Sequence, residues 1–253
     1  MENLSFFMAT FNYYFSLLLA FLSQITGNLG LGITLFTIVL RMILFPLTLS
    51  SLKAARKMRL LQPELTKLQK LHKGDASGLQ KAQLKLYQDN KINPLAGCLP
   101  QILQLVLLIV LYQGLIHFFS LEQVGGYIIN PSFLWMNLGK PDQFYILPIL
   151  AGVSQFGLSL LMMGPISKQT AVIKNEKNKK VEKNKKDESE GPDMASMMQK
   201  QMLYVMPIFS AFIALKLPSG LVLYWVVSTV VSAIQQLYAN RAADKDASTL
   251  IKR

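Results

Sequence analysis

Charge is almost absent from five long stretches of this chain. Residues 94–116, 144–164 and 218–239 carry none, 29–50 carry only Arg41, and 201–217 carry only Lys216. About 20 mostly apolar residues suffice for a helix to cross the hydrocarbon of a bilayer. A helix also satisfies its own backbone groups where no water can. The chain is 51% hydrophobic and 16% charged, against about 25% charged residues in soluble domains. The pattern predicts an all-α polytopic membrane protein with five transmembrane helices at 29–50, 94–116, 144–164, 201–217 and 218–239.

Charges between the spans set a direction. Residues 51–93 hold ten Lys/Arg against three acids, and 165–200 hold nine lysines against six acids. The tail 240–253 holds four basic residues and two acids, whereas 117–143 have Lys140 against Glu122 and Asp142. Lys and Arg accumulate in cytoplasmic loops. The expected topology therefore puts 51–93, 165–200 and the basic tail in the cytoplasm and the loop 117–143 outside. "LKLPSG" at 215–220 predicts a tight turn between the last two spans, broken by Pro218 and Gly220.

Three segments lie beside the spans. In 1–28, Ser5, Asn12, Ser16 and Ser23 fall on one helical stripe. This predicts an amphipathic helix in the outer interface, with a sixth span as the alternative. Residues 51–93 predict a helical hairpin. Leu61, Leu65, Leu68 and Leu71 line one arm, "GDASG" at 74–78 breaks it, and Leu79, Ala82 and Leu86 line the other. Pro63 marks a helix start or kink. The hairpin is either a plain connector or a docking surface for ribosome, substrate or anionic lipid. The charged, low-complexity run 174–193 is too polar to fold alone. A methionine repeat follows it: Met194, Met198, Met202 and Met206.

Chemistry-bearing motifs are missing. The lone Cys98 forms no disulfide within the chain and stands as a packing residue; His72 and His117 belong to no metal-ligand cluster. No Gly-rich phosphate loop or nucleophile elbow is present. The sequence implies no enzyme, no cofactor, no metal and no DNA partner. Arg41 stands out instead. It lies twelve residues before Lys53, ~18 Å along a helix, so it does not snorkel easily to the surface. A central arginine in a span costs about 2.5–3.5 kcal/mol on insertion scales, and no span contains an acid to pair with it. The expectation is a hydrated cavity with Arg41 as its unpaired positive lining; backbone carbonyls are the alternative partners. Thr37 and Thr34 lie one and two turns before it on nearly the same face. Gln101 and Gln104 in the second span, Ser154 and Gln155 in the third, and Trp225 and Ser228 in the fifth are further candidates. Pro46, Pro100, Pro148 and Pro207 put a proline in each of the first four spans, and kinks leave room between helices.

Four segments carry a resemblance: "GLGITLFTIVLRMILFPLTL", "NPLAGCLPQILQLVLLIVLY", "YILPILAGVSQF" and "MPIFSAFIALKLPSGLVLYWVVSTVVSAIQQ". In order and separation, over most of 29–240, the chain resembles the YidC-type membrane-protein insertases. "GCLP" and "PSGLVLYW" are the most specific pieces. The resemblance implies a five-helix core around a hydrophilic groove, open to cytosol and lipid and sealed outside. The groove arginine and the threonine one turn before it match Arg41 and Thr37. The aromatic position of the last span matches Trp225, next to Tyr224, and the third-span polar position matches Gln155. The second and fourth spans would form the apolar exit path. The segment before the first span is shorter than the large extracytoplasmic domain of Gram-negative relatives, which points to a compact form.

The expected function is thus insertion and chaperoning of nascent membrane proteins in a bacterial cytoplasmic (inner) membrane. Membrane lipids are partners, as are the ribosome and the Sec translocon, and the chain is expected to work as a monomer. A non-catalytic assembly subunit of a larger complex is the main alternative. A small-solute transporter fits less well, because a proton or ion relay needs carboxylates or histidines within the spans.

Overall fold

Asn28 sets the first corner of the chain. Its side chain accepts a hydrogen bond from Gly30 N at 2.8 Å and caps the helix that follows, after Gly27 has turned the backbone at φ +73°. The computed structural model describes residues 2–72, 74–90, 99–163 and 201–251. The linker 165–200, Cys98, the first four residues of the second span and the start of the methionine repeat lie outside the described residues.

The described chain is helical apart from four two-residue strands. Helix α1 spans Glu2–Thr26, α2 Leu29–Ile43, α3 Phe45–Leu60, α4 Gln62–Leu71 and α5 Ala76–Asp89. After α6 (Leu99–Phe119) come β1 (Gln123–Val124), β2 (Tyr127–Ile128), β3 (Ser132–Phe133) and β4 (Met136–Asn137), paired as two antiparallel hairpins. Helix α7 spans Ile146–Met163. A π-helical turn, Gln201–Val205, leads into α8 (Met206–Ala214), and α9 runs unbroken over Ser219–Ile251.

Length and apolarity let α1 (Met8–Thr26), α6 and α9 (Ser219–Arg241) cross a membrane, and the bent pair α2–α3 counts as a fourth if taken as one span. Helices α7 and α8 are apolar but shorter. The pair bends by 58° at Leu44, where Pro46 has no N–H for the carbonyl of Met42. Past the bend, α3 runs on into the hairpin α4–α5. Pro63 sits in the first turn of α4, Gly74 makes the reversal at φ +92°, and Asp75 caps α5 through Gly78 N at 2.8 Å. Leu61 and Leu65 of the expected stripe are buried, while Leu71 is exposed.

Burial runs opposite to that of a water-soluble protein. Ile109, Val153, Phe209, Phe212 and Ile234 lie on the outside, whereas Ser16, Ser23, Thr37, Arg41, Ser228 and Gln235 lie inside. In hydrocarbon an outward apolar side chain costs nothing, and polar groups have no water to reach.

Helix α1 shows this inversion clearly. Its Ser16–Ser23 stripe faces protein rather than water. Small residues let backbones approach closely: a Cβ on Gly32 would sit 2.5 Å from Ser23 Oγ and 3.1 Å from Ser23 Cα. Tyr13, Tyr14, Phe21 and Ile25 point away. Phe15 meets Phe36 edge-on at 5.5 Å and presses on Gly114, and Leu17 approaches Gly125. Helix α1 thus touches the first half of α2, the last turns of α6 and the β1–β2 ribbon.

The same end of the bundle is latched by backbone bonds. Ser219 N and Oγ both donate to the Lys140 carbonyl, at 2.8 and 2.7 Å, and Gly220 N donates to the Leu138 carbonyl at 2.8 Å. The first N–H groups of a helix have no partner within it, so the 138–140 carbonyls complete the start of α9. Nearby, the buried Asp142 carboxylate accepts from Trp135 Nε1, Phe144 N and Leu147 N. The loop 117–143 is therefore an ordered cap, which the sequence reading treated only as a loop.

Close contact at Gly32 predicts an asymmetry among the glycines. Gly32→Val should lower the melting temperature in detergent by several degrees, since Ser23 backbone cannot yield. Gly157→Ala, with nothing within 4 Å of the new Cβ, should cause no loss. Thermal unfolding of the two variants side by side checks this.

Candidate functional site

The interior polar groups converge on Arg41. Tyr224, Ser228 and Gln235 follow one another on α9 at spacings of four and seven residues, which returns to the same helical face. All three are buried, and that face meets α2. Arg41 Nε donates to Ser228 Oγ at 2.6 Å. The guanidinium Nη2 donates to Gln104 Oε1 of α6 in a short bond. Ser228 Oγ also reaches Gln104 Oε1 at 3.4 Å. At the other end of the residue, Gln235 Nε2 donates to the Arg41 carbonyl at 3.1 Å.

Arg41 is only 8% exposed, and both partners of its guanidinium are neutral. Arg41 thus has no acidic partner among the described residues, as expected, but it has neutral ones. Among the described residues, the guanidinium is held by side-chain oxygens from two other helices. The positive charge itself stays uncompensated, because no span contains an acid. Beside it lie two buried polar atoms without a partner in the structure, Gln104 Nε2 and Tyr224 OH. The Tyr224 hydroxyl adjoins Ser228 and Gln104 without a hydrogen bond of normal geometry. The cluster can therefore offer both donors and an acceptor to an incoming polar group.

The expected site residues divide. Arg41 and Gln104 meet directly. Thr37 is fully buried one turn before Arg41, but its Oγ1 donates to the Ile33 carbonyl at 2.6 Å. Thr34 likewise donates to Gly30 O at 2.9 Å. Both threonine hydroxyls bond a carbonyl of their own helix. Trp225, half-buried, packs against the core one position from Tyr224. Gln155 is half-buried on α7, and among the described residues no hydrogen bond joins it to Arg41. The side chain of Gln101 lies outside the described residues. Gln235 escaped the sequence reading. Its only signal was its seven-residue spacing from Ser228. A surface cavity of ≈ 260 Å³ among Ser132, Trp135, Asn137 and Lys140 shares no residue with the cluster.

Comparison with known proteins shows where this arrangement belongs. The family described as 60Kd inner membrane protein matches residues 21–246. The chain belongs to that family. A relative from Fusobacterium nucleatum, named membrane protein insertase YidC, is 36% identical over 234 residues, covering 90% of this chain and 97% of the relative. One of the same name from Geobacter sulfurreducens is 33% identical over 225 residues, covering 88% of this chain but 36% of the relative. The chain thus spans about a third of the Geobacter protein. Among solved structures, an active YidC insertase with its first transmembrane domain resolved matches at TM-score 0.61 and 26% identity, covering 88% of this chain and 44% of that one. The mostly helical fold with several apolar helices is that of a multi-pass inner-membrane protein of the 60Kd family.

Within this cluster, Ser228 accepts from Arg41 Nε at 2.6 Å, and its loss leaves that donor unpaired. Ser228→Ala should destabilise the protein by about 1–3 kcal/mol, the cost of a buried unsatisfied group. Thr37→Val keeps shape and removes only a bond to its own helix, so it should cost less. Chemical or thermal denaturation of both variants in detergent gives the ranking.

Proposed function

We propose that this protein inserts membrane proteins into the bilayer, receiving polar parts of a nascent chain at Arg41 and releasing its apolar segments to lipid. The observation that carries the reading is a buried arginine whose guanidinium, among the described residues, is held by neutral oxygens only. Hydrogen bonds between neutral groups are worth about 0.5–1.5 kcal/mol net, and those to charged groups about 1.5–3. Arg41 already makes charged–neutral bonds; a carboxylate would add charge to both partners and displace Gln104 and Ser228. Such exchange needs no bond making or breaking, which fits a chain without a nucleophile–base pair among its spans.

The apolar half of the task falls to α6 and α8. Ile102, Leu105, Val106 and Ile109 of α6 and Ile208, Phe209 and Phe212 of α8 are exposed. A new helix leaving along these faces moves from water into apolar surroundings, and burial at about 25 cal/mol per Å² supplies the drive. In this reading the α3–α5 side faces the cytoplasm, where basic residues on the hairpin and the tail meet ribosome, Sec translocon or anionic headgroups. The latched end at Leu138–Lys140 faces outward, and α1 lies obliquely at that boundary. Its contacts with Gly32 at the start of α2, Gly114 late in α6 and Gly125 in the outer loop support that placement. Thr34, Thr37, Gln104, Gln155 and Trp225 would line the substrate path with Arg41. The assembly-subunit alternative predicts no contact between substrate and these helices.

Reconstituted vesicles test the charge. Arg41→Ala should reduce insertion of a single-span substrate with an acidic translocated tail by about tenfold, the loss of one charge-assisted bond, and leave a neutral-tailed substrate nearly unaffected. Arg41→Lys should retain part of the activity, because an ammonium supplies charge but not the guanidinium fork that meets Ser228 and Gln104 together. Protease protection of the tail reports insertion. Full insertion of the acidic tail by a folded Arg41→Ala protein would sink the proposal.

A further inference from the structure

Arg41 is gripped at two places, and the second grip is the less expected. Its side chain meets Ser228, whereas its backbone carbonyl meets Gln235. These two residues are seven apart on α9, ~10 Å along the axis. Side chains lean toward the start of their own helix. Helix α9 begins at the Leu138–Lys140 latch, and α2 begins against Ser132 and Phe133 of the same loop, with Ile33 beside Gly220, so they run in the same direction. Arg41 therefore lies along the α2–α9 seam like a strut, rooted at Gln235 and tipped at Ser228.

The root sits where the helix is weakest. Leu44, three residues on, is the 58° break between α2 and α3. Leu44 N still donates to the Leu40 carbonyl at 3.0 Å, but Pro46 removes the donor for the next turn's Met42 carbonyl. The Gln235 amide supplies a donor to the Arg41 carbonyl. Its orientation follows from that acceptor, since the reversed amide would set oxygen against oxygen. Gln235 is 6% exposed, and its Oε1 has no partner in the structure. A buried amide with one end unpaired is costly, so the bond it does make is its evident use.

We infer that Gln235 is a positioning residue for Arg41: it pins the arginine's backbone at the helix break and so sets the depth at which the guanidinium is presented. This rests on the insertase reading. Gln235 touches no substrate and acts through Arg41 alone.

The test uses the full chain in proteoliposomes with acidic-tailed and neutral-tailed substrates. Gln235→Met keeps the length and removes the donor. It should slow insertion of the acidic-tailed substrate about fivefold, in line with loss of one buried hydrogen bond, and spare the neutral-tailed one. In an Arg41→Ala background it should cause no further loss, because the group it positions is gone. Equal loss for both substrates, or a further loss without Arg41, would mean that Gln235 only supports the fold and overturns the inference. If Gln235→Met does not fold, Gln235→Asn, one methylene too short to reach, is judged by the same outcomes. A second readout needs no insertion. The Nε–H signal of Arg41, followed by NMR in detergent, should exchange with water slowly in the wild type and faster in Gln235→Met; an unchanged rate overturns the inference. If Arg41→Ala impairs insertion while Gln235→Met does nothing, this inference fails alone. If the wild type inserts neither substrate, the functional reading fails, and the exchange rate still judges Gln235.

Discussion

A guanidinium buried among neutral oxygens is the constraint around which the other helices are placed. One ionised group in hydrocarbon is expensive, and this chain meets the cost without an opposite charge. Ser228 comes from α9 and Gln104 from α6, while Arg41 comes from α2. Three helices distant in sequence must therefore hold one register at one depth. An ion pair would have tolerated more slack, because Coulomb attraction falls slowly with distance. Hydrogen bonds to neutral groups weaken steeply when angle or length is wrong, so this arrangement demands a rigid frame.

The frame is supplied mainly at one end. Backbone donors of Ser219 and Gly220 meet the carbonyls of Lys140 and Leu138, and Asp142 organises the start of α7 through Phe144 N and Leu147 N. Gly220 permits the approach, since a Cβ there would lie 3.1 Å from Leu138 O. Helix α1 braces the same end through Phe15, Leu19 and Ser23. Toward the other end the lateral support thins. Helix α6 has exposed Ile102, Leu105 and Val106 flanking Gln104, so its hold on Arg41 rests on few neighbours. Packing is thus graded along the bundle, denser at the cap and sparser around Gln104.

Much of this was legible from residue order. Runs without charge located the apolar helices, Pro63 and Gly74 delimited the hairpin, and Pro218 and Gly220 marked the final turn. Arg41 announced itself by being alone. The rest depends on pairing between remote segments. Periodicity shows that Ser16 and Ser23 share a face but not whether water or α2 lies against it, and in a membrane the usual inference inverts. Gln104 and Gln155 looked equivalent, yet only Gln104 reaches the arginine, because that depends on which helices neighbour α2. Gln235 was hidden for a similar reason. Its partner is a backbone carbonyl, which no residue type advertises. The short hairpins in 117–143 are two residues per strand, below the length at which alternation can be seen.

The bend at Leu44 has an electrostatic consequence. Up to Arg41 two rods lie side by side; beyond it α9 continues straight, while α3 departs at 58° and so travels farther sideways than along the axis. The rods fork below Phe45 and Tyr238, whose rings still touch at 6.1 Å. Where water enters such a fork, it screens the Arg41 charge more on the splayed side than on the latched side, where backbone bonds close the seam. The direction of that asymmetry follows from the bend beside Pro46.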